Sequence, residues 1–122
     1  MLVKHEGNKV NFIDRLDQYV GFDMSQHCCE YADYEIYNDA GDIISNDTAF
    51  DEQLVFFCAD IEVPDVLKDE INNLPLDSGG YIIFGLTGKN GYYYLVLSNC
   101  HNGYYAHTYN FRINDYTDRG AI

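Results

Sequence analysis

Gly80-Tyr81-Ile82-Ile83-Phe84-Gly85-Leu86-Thr87-Gly88-Lys89-Asn90-Gly91-Tyr92-Tyr93-Tyr94-Leu95-Val96-Leu97-Ser98 reads as two strands joined by a tight turn. Asn-Gly is the strongest short hairpin signal, because a type I′ turn needs positive φ at both central residues. Asn102-Gly103 repeats the signal before a third run, Tyr104 to Ile113. The three runs predict a three-stranded antiparallel meander over about residues 80–113. In the third run Tyr105, His107, Tyr109, Phe111 and Ile113 share one face, the expected core side, and Tyr104, Ala106, Thr108, Asn110 and Arg112 share the other. The middle run is apolar on both faces. It therefore calls for cover on both sides, or presents a tyrosine face to a partner.

Upstream, one helix is expected over about 64–74. Pro64 suits a first helical position, Asp65 the first turn, and Val63, Leu67, Ile71 and Leu74 make an apolar stripe that ends before Pro75. The first half reads as short strands at Val10 to Ile13, Tyr19 to Phe22, Tyr31 to Tyr37, Asp42 to Ser45 and Gln53 to Ala59, with a turn at Asn38-Asp39-Ala40-Gly41. Along Tyr31 to Tyr37, Ala32, Tyr34 and Ile36 fall on one face. Asp33 and Glu35 fall on the other, as a row toward solvent. The expected fold class is α+β: a mostly antiparallel sheet with a C-terminal meander and one main helix, in a single domain spanning residues 1–122.

Charge is the other strong signal. Leu16 to Leu67 contain thirteen carboxylates and no lysine or arginine, while the remaining acids and bases balance, so the net charge of −13 resides in one block. Twelve tyrosines and seven phenylalanines exclude a disordered acidic tail. Such a surface repels nucleic-acid phosphate and anionic lipid, so neither nucleic acid nor membrane is an expected direct partner. The first residues show no basic segment followed by an apolar one, and no apolar run nears the roughly 20 residues of a membrane span. The expected location is the cytoplasm, that of the host cell if the chain is phage-encoded. The four cysteines, Cys28, Cys29, Cys58 and Cys100, are then expected as reduced thiols.

Catalytic signatures are weak. His27, Cys28, Cys29, Cys58, Cys100 and His101 offer soft ligands or thiol nucleophiles, and a small metal-binding or thiol-dependent enzyme is one alternative. No Cys-x₂₋₄-Cys knuckle is present, and Cys28 and Cys29 lie in the acidic block, which disfavours a thiolate. Carboxylate pairs such as Asp33/Glu35 or Asp51/Glu52 are unremarkable among twenty acids. Asn38 to Asp42 lacks the spacing of an EF-hand loop, and no phosphate-binding loop or nucleophile elbow is found. No cofactor is expected. A solvated or halophilic acidic surface is the plainest account of the charge, although halophilic acidity would spread along the whole chain. A structural or assembly subunit using the tyrosine-rich meander is a further alternative.

Two segments carry a resemblance. Gln26-His27-Cys28-Cys29-Glu30 and Asn102-Gly103-Tyr104-Tyr105 resemble the Asp-Cys-Cys-Glu and Asn-Gly-Tyr-Tyr signatures of a domain-of-unknown-function family of small phage and mobile-element proteins. The motif order agrees, and His27 stands where the family has Asp. The resemblance implies a phage-like context and no activity. Size and acidity are also similar in style to phage anti-defence proteins, including anti-CRISPR and anti-restriction DNA mimics. The functional expectation is a non-enzymatic acidic protein that occludes a basic, nucleic-acid-binding surface of a partner, such as a host defence nuclease. Asp33, Glu35, Asp39, Asp42, Asp47, Asp51 and Glu52 would supply the field, with Tyr34 and Tyr37 as anchors.

Overall fold

The structure, a computed structural model, describes residues 1–25, 30–45, 54–76, 79–89, 91–101 and 106–122, without the side chains of Glu30, Ser45 and His101. In chain order the strands are β1 (Leu2–Glu6), β2 (Lys9–Ile13), β3 (Tyr19–Asp23), β4 (Glu30–Asn38), β5 (Ile43–Ser45), β6 (Val55–Cys58), β7 (Gly80–Gly88), β8 (Gly91–His101), β9 (Thr108–Ile113) and β10 (Tyr116–Ala121). They form two five-stranded antiparallel sheets, ordered β1-β2-β3-β9-β10 and β5-β4-β8-β7-β6. Between β6 and β7 a 3-10 turn, Asp65–Leu67, runs into the helix α1 (Lys68–Asn72).

This corrects the α+β expectation: the fold is mostly β, and its helical segment is only eight residues long. β7 and β8 do form the predicted hairpin, with Gly88 opposite Gly91 and Gly91 at φ 130°. The third run does not complete a meander. β8 already has β7 on one side and β4 on the other, paired from Glu30–His101 to Asn38–Tyr93. With both edges occupied, β9 pairs instead with β3 and β10 in the other sheet. The turn expected at Asn102-Gly103 lies outside the described residues. The acidic stretch is likewise divided, giving β3 to one sheet and β4, β5 and β6 to the other.

The two sheets face each other across one apolar layer. Val10, Phe12, Val20, Phe22, Phe111 and Ile113 from the first meet Tyr34, Ile36, Leu54, Phe56, Phe84, Leu86, Leu95 and Leu97 from the second. Phe12 meets the Tyr34 ring edge-on with centroids 4.9 Å apart, and Phe84 meets Phe111 at 5.5 Å. A second, smaller cluster lies on the outer face of the second sheet, where Leu67 and Ile71 bury against Tyr37, Ile83 and Val96. A helix this short is unstable alone. Burying each of those two side chains contributes about 1.5–3 kcal/mol, so packing is what holds it. The helix also receives the β4–β5 turn. Gly41 adopts φ 84°, and a Cβ there would sit 2.7 Å from the Val66 carbonyl oxygen.

One polar hub ties the sheets together at an end of the sandwich. Asp14 is 4% exposed. Its Oδ1 accepts from the amides of Leu16 and Gln18, both at 2.9 Å. Its Oδ2 accepts from Gln18 Nε2 at 2.8 Å and from the Phe56 amide at 3.0 Å. Gln18 passes the connection on, donating to the Phe56 carbonyl and accepting from the Asn114 amide. The loop after β2, the edge strand β6 and the β9–β10 turn are thereby joined through two side chains.

Candidate functional site: an acidic, tyrosine-lined cleft

Strand alternation places the site. Ala32, Tyr34 and Ile36 point into the sandwich, and Tyr31, Asp33, Glu35 and Tyr37 point out. On the neighbouring strand, register sets Cys100 beside Tyr31, Ser98 beside Asp33 and Val96 beside Glu35. The helical segment stops short of covering this face completely. Ile71, Leu74 and Pro75 overhang the β4–β8 pair and leave a cleft of about 140 Å³. Its floor carries two carboxylates, a hydroxyl and a thiol; its overhang is apolar.

The polar groups inside interact. Tyr37 donates its hydroxyl proton to Glu35 Oε2 at 2.5 Å, and Tyr31 to Asp33 Oδ2 at 3.4 Å. The Tyr34 amide donates to Asp33 Oδ1 at 2.8 Å. Burial raises the Asp33 pKa above the usual carboxylate value; the Tyr34 amide opposes this and the Glu35 charge adds to it. Burial and the hydrogen bond to Glu35 push the Tyr37 phenol well up. The Asp33 charge is the main cause of the upward shift of Tyr31. Burial, then the Asp33 charge, raises the Cys100 thiol, which is the direction opposite to that of an activated nucleophile.

The surrounding surface is acidic. Asp39 and Asp42 flank the β4–β5 turn, with the Tyr94 hydroxyl 3.5 Å from Asp39 Oδ1. Exposed Asp65, Asp69 and Glu70 project from the helical segment. Lys68, the cation of that segment, is held by Asp65 at 2.9 Å. The opposite side of the sandwich is different. Exposed Lys4, Lys9, Arg112 and Arg119 lie on the outer face of the first sheet, with Lys4, Asn11, Gly21, Asn110 and Arg119 in register across its five strands. The Arg112 guanidinium sits 6.0 Å from the Tyr19 ring centre.

Of the residues singled out from the sequence, Asp33, Glu35 and Tyr37 line the cleft, and Asp39 and Asp42 lie at the β4–β5 turn outside it. Tyr34 is a core residue, 5% exposed, with little surface to offer a partner. Asp47, Asp51, Glu52, His27, Cys28 and Cys29 lie outside the described residues, as does the His101 side chain. Cys58 and Cys100 are free thiols on different strands. Cys58 is in register with Gly85 and Tyr94. Cys100 is therefore about 20 Å farther along β8 at roughly 3.3 Å per residue, too far to share a metal. Among the described residues no cluster of three or more His, Cys, Asp or Glu could hold a metal ion. Also among them, no helix is long and apolar enough to cross a membrane. Ser98, Ile71, Leu74 and Pro75 were not anticipated as site residues. Only the helix packing reveals them, although the 67/71/74 stripe signalled that the helix had a face to bury.

No family model matches the chain and no curated protein or solved structure gives a significant match, so the resemblance noted at Gln26–Glu30 and Asn102–Tyr105 assigns no role to any residue of the cleft.

Proposed function

We propose that this protein is a non-enzymatic binding module whose acidic, helix-bearing face docks on a basic, nucleic-acid-binding surface of a partner protein and occludes it. The observation that carries this reading is the gathering of Asp33, Glu35, Asp39, Asp42, Asp65, Asp69 and Glu70 around one helix and two strands, while four of the seven cations lie on the far sheet. A field of one sign on one face accelerates encounter with an oppositely charged groove and rejects like-charged competitors. The tyrosines among the acids give rigid contact area. A nucleic-acid-handling protein, such as a defence nuclease, is the class of partner whose groove has that charge.

The test uses immobilised full-length protein and an extract of the source cell. Captured partner should be released by nucleic acid of arbitrary sequence and by moderate salt. Reversing Asp33, Glu35, Asp39 and Asp42 to Lys should abolish capture while the β-sheet circular dichroism is kept. Capture that survives the reversal at physiological salt, or that nucleic acid does not displace, overturns the reading.

A further inference from the structure

We propose that the cleft between α1 and the outer face of β4 and β8 receives a single arginine side chain of the partner, an inference that rests on the acidic-face reading and narrows it to one anchoring contact. Size limits the occupant. A volume of about 140 Å³ is well under the 300 Å³ or more of sites for drug-sized ligands. One side chain can enter; a nucleotide or a folded peptide segment cannot.

The chemistry of the walls narrows it further. Ile71, Leu74 and Val96 offer an apolar track, and Asp33 and Glu35 lie on the floor. Arginine has the same division, a methylene stem ending in a charged head. Its planar fork matches adjacent carboxylate oxygens, keeps its charge in a half-buried site and loses less hydration than an ammonium group. Tyr31 and Tyr37 line the cleft as well and supply ring faces for the cation.

A second observation is independent of the acids. Ser98 is 7% exposed and lines the cleft beside Asp33, and among the described residues its hydroxyl has no hydrogen bond. With the residue otherwise buried, the cleft is the side from which a donor can reach that hydroxyl. A ligand carrying several N–H donors would satisfy the hydroxyl oxygen together with the two carboxylates.

The test is a titration of isotope-labelled full-length protein, followed by NMR at pH 7. The probes are N-acetyl-L-arginine methylamide and its lysine and citrulline counterparts; citrulline keeps the shape and lacks the charge. The arginine probe should shift the amides of Glu35, Ile71, Val96 and Ser98 saturably. The citrulline probe should bind at least about tenfold more weakly, and the lysine probe severalfold more weakly. Asp33→Asn with Glu35→Gln should weaken the arginine probe about tenfold. Asp39→Asn with Asp42→Asn, removing equal charge outside the cleft, should change it less than about twofold. Ser98→Ala, which removes only the hydroxyl and keeps all the charge, should weaken it about threefold and covers the case in which the double cleft variant does not fold. Equal binding of citrulline or lysine, equal losses in the two double variants, or the absence of saturable shifts at these amides overturns the proposal. The probes involve no partner protein, so their failure leaves the acidic-face reading standing. Failure of the nucleic-acid competition above removes that reading whatever the probes do.

Discussion

Replacing Asp14 with Asn tests the account of how the two sheets are joined. The substitution preserves size and removes one charge that four donors now satisfy. The asparagine oxygen can keep the Leu16 and Gln18 amides. Its NH₂ then faces the Phe56 N–H and the Gln18 Nε2–H₂, donor against donor. Two charge-assisted hydrogen bonds are lost, each contributing about 1.5–3 kcal/mol. Relief from burying a charge returns part of this, leaving a net loss of about 3 kcal/mol. For a chain of this length that is a fall of about 10 °C in Tm, interpolating between the values for smaller and larger domains. The chain has no tryptophan, so tyrosine emission in a urea titration, with far-ultraviolet circular dichroism on heating, gives the two readouts. Native-state hydrogen exchange should locate the effect, with the Phe56 amide losing most protection. A D14N protein within about 1 kcal/mol of the parent, with Phe56 still protected, would refute the idea that this carboxylate holds β6 to the first sheet.

Three further outcomes follow from single groups. Asp33 has a pKa raised in the fold, chiefly by burial, so the native state holds its proton over a window where the unfolded chain has lost it. Ionised Asp33 therefore detracts from stability above that window: Asp33→Asn should stabilise by a few tenths of a kcal/mol at pH 7, the site being half open to solvent, and the gain should vanish below about pH 3.8, as paired urea titrations can show. Gly79→Ala would put a Cβ 1.8 Å from the Asn99 carbonyl oxygen and should cost about 2–3 kcal/mol by urea titration, whereas Gly7→Ala, at φ 61° with no neighbour within 4 Å, should cost about 1 kcal/mol. Asn114 and Asp115 close the β9–β10 hairpin at φ 53° and 62°, so Asp115→Gly, giving Asn-Gly, should raise stability by about 0.5 kcal/mol in thermal melts.

What could be read from the chain was what is local. The alternation along Tyr31–Tyr37 assigned the faces of β4 correctly, because a period of two needs no knowledge of the partner strand. The stripe at Val63, Leu67, Ile71 and Leu74 found the helical segment and its buried side, though not its brevity. Pairing partners are non-local. Nothing between Tyr104 and Ile113 announces that β8 is already flanked by β4 and β7, and the meander was inferred from adjacency in sequence alone. The outer strands β1 and β10 escaped notice because they bury little: Val3 is the sole buried residue of β1, and β10 has none. Asp14 reads as one more surface acid until Phe56, forty-two positions away, comes to donate to it. The cleft was hidden for the same reason, since its overhang comes from a different segment than its floor.

The separation of charge across the sandwich has a consequence for motion as well as for contact. With Lys4, Lys9, Arg112 and Arg119 on one outer face and carboxylates around α1 on the other, charge among the described residues is unequal across the sandwich, even with Glu6 paired to Lys4. A positive groove exerts a torque on such a body as well as an attraction. On the proposed function, that torque would turn the helix side forward only once the two surfaces are within about one Debye length, roughly 30 Å in dilute salt and about 8 Å at physiological salt. Neutralising the four cations of the far face would add to the net negative charge and to the pull, yet shrink this torque, so that orientation and attraction become separately adjustable.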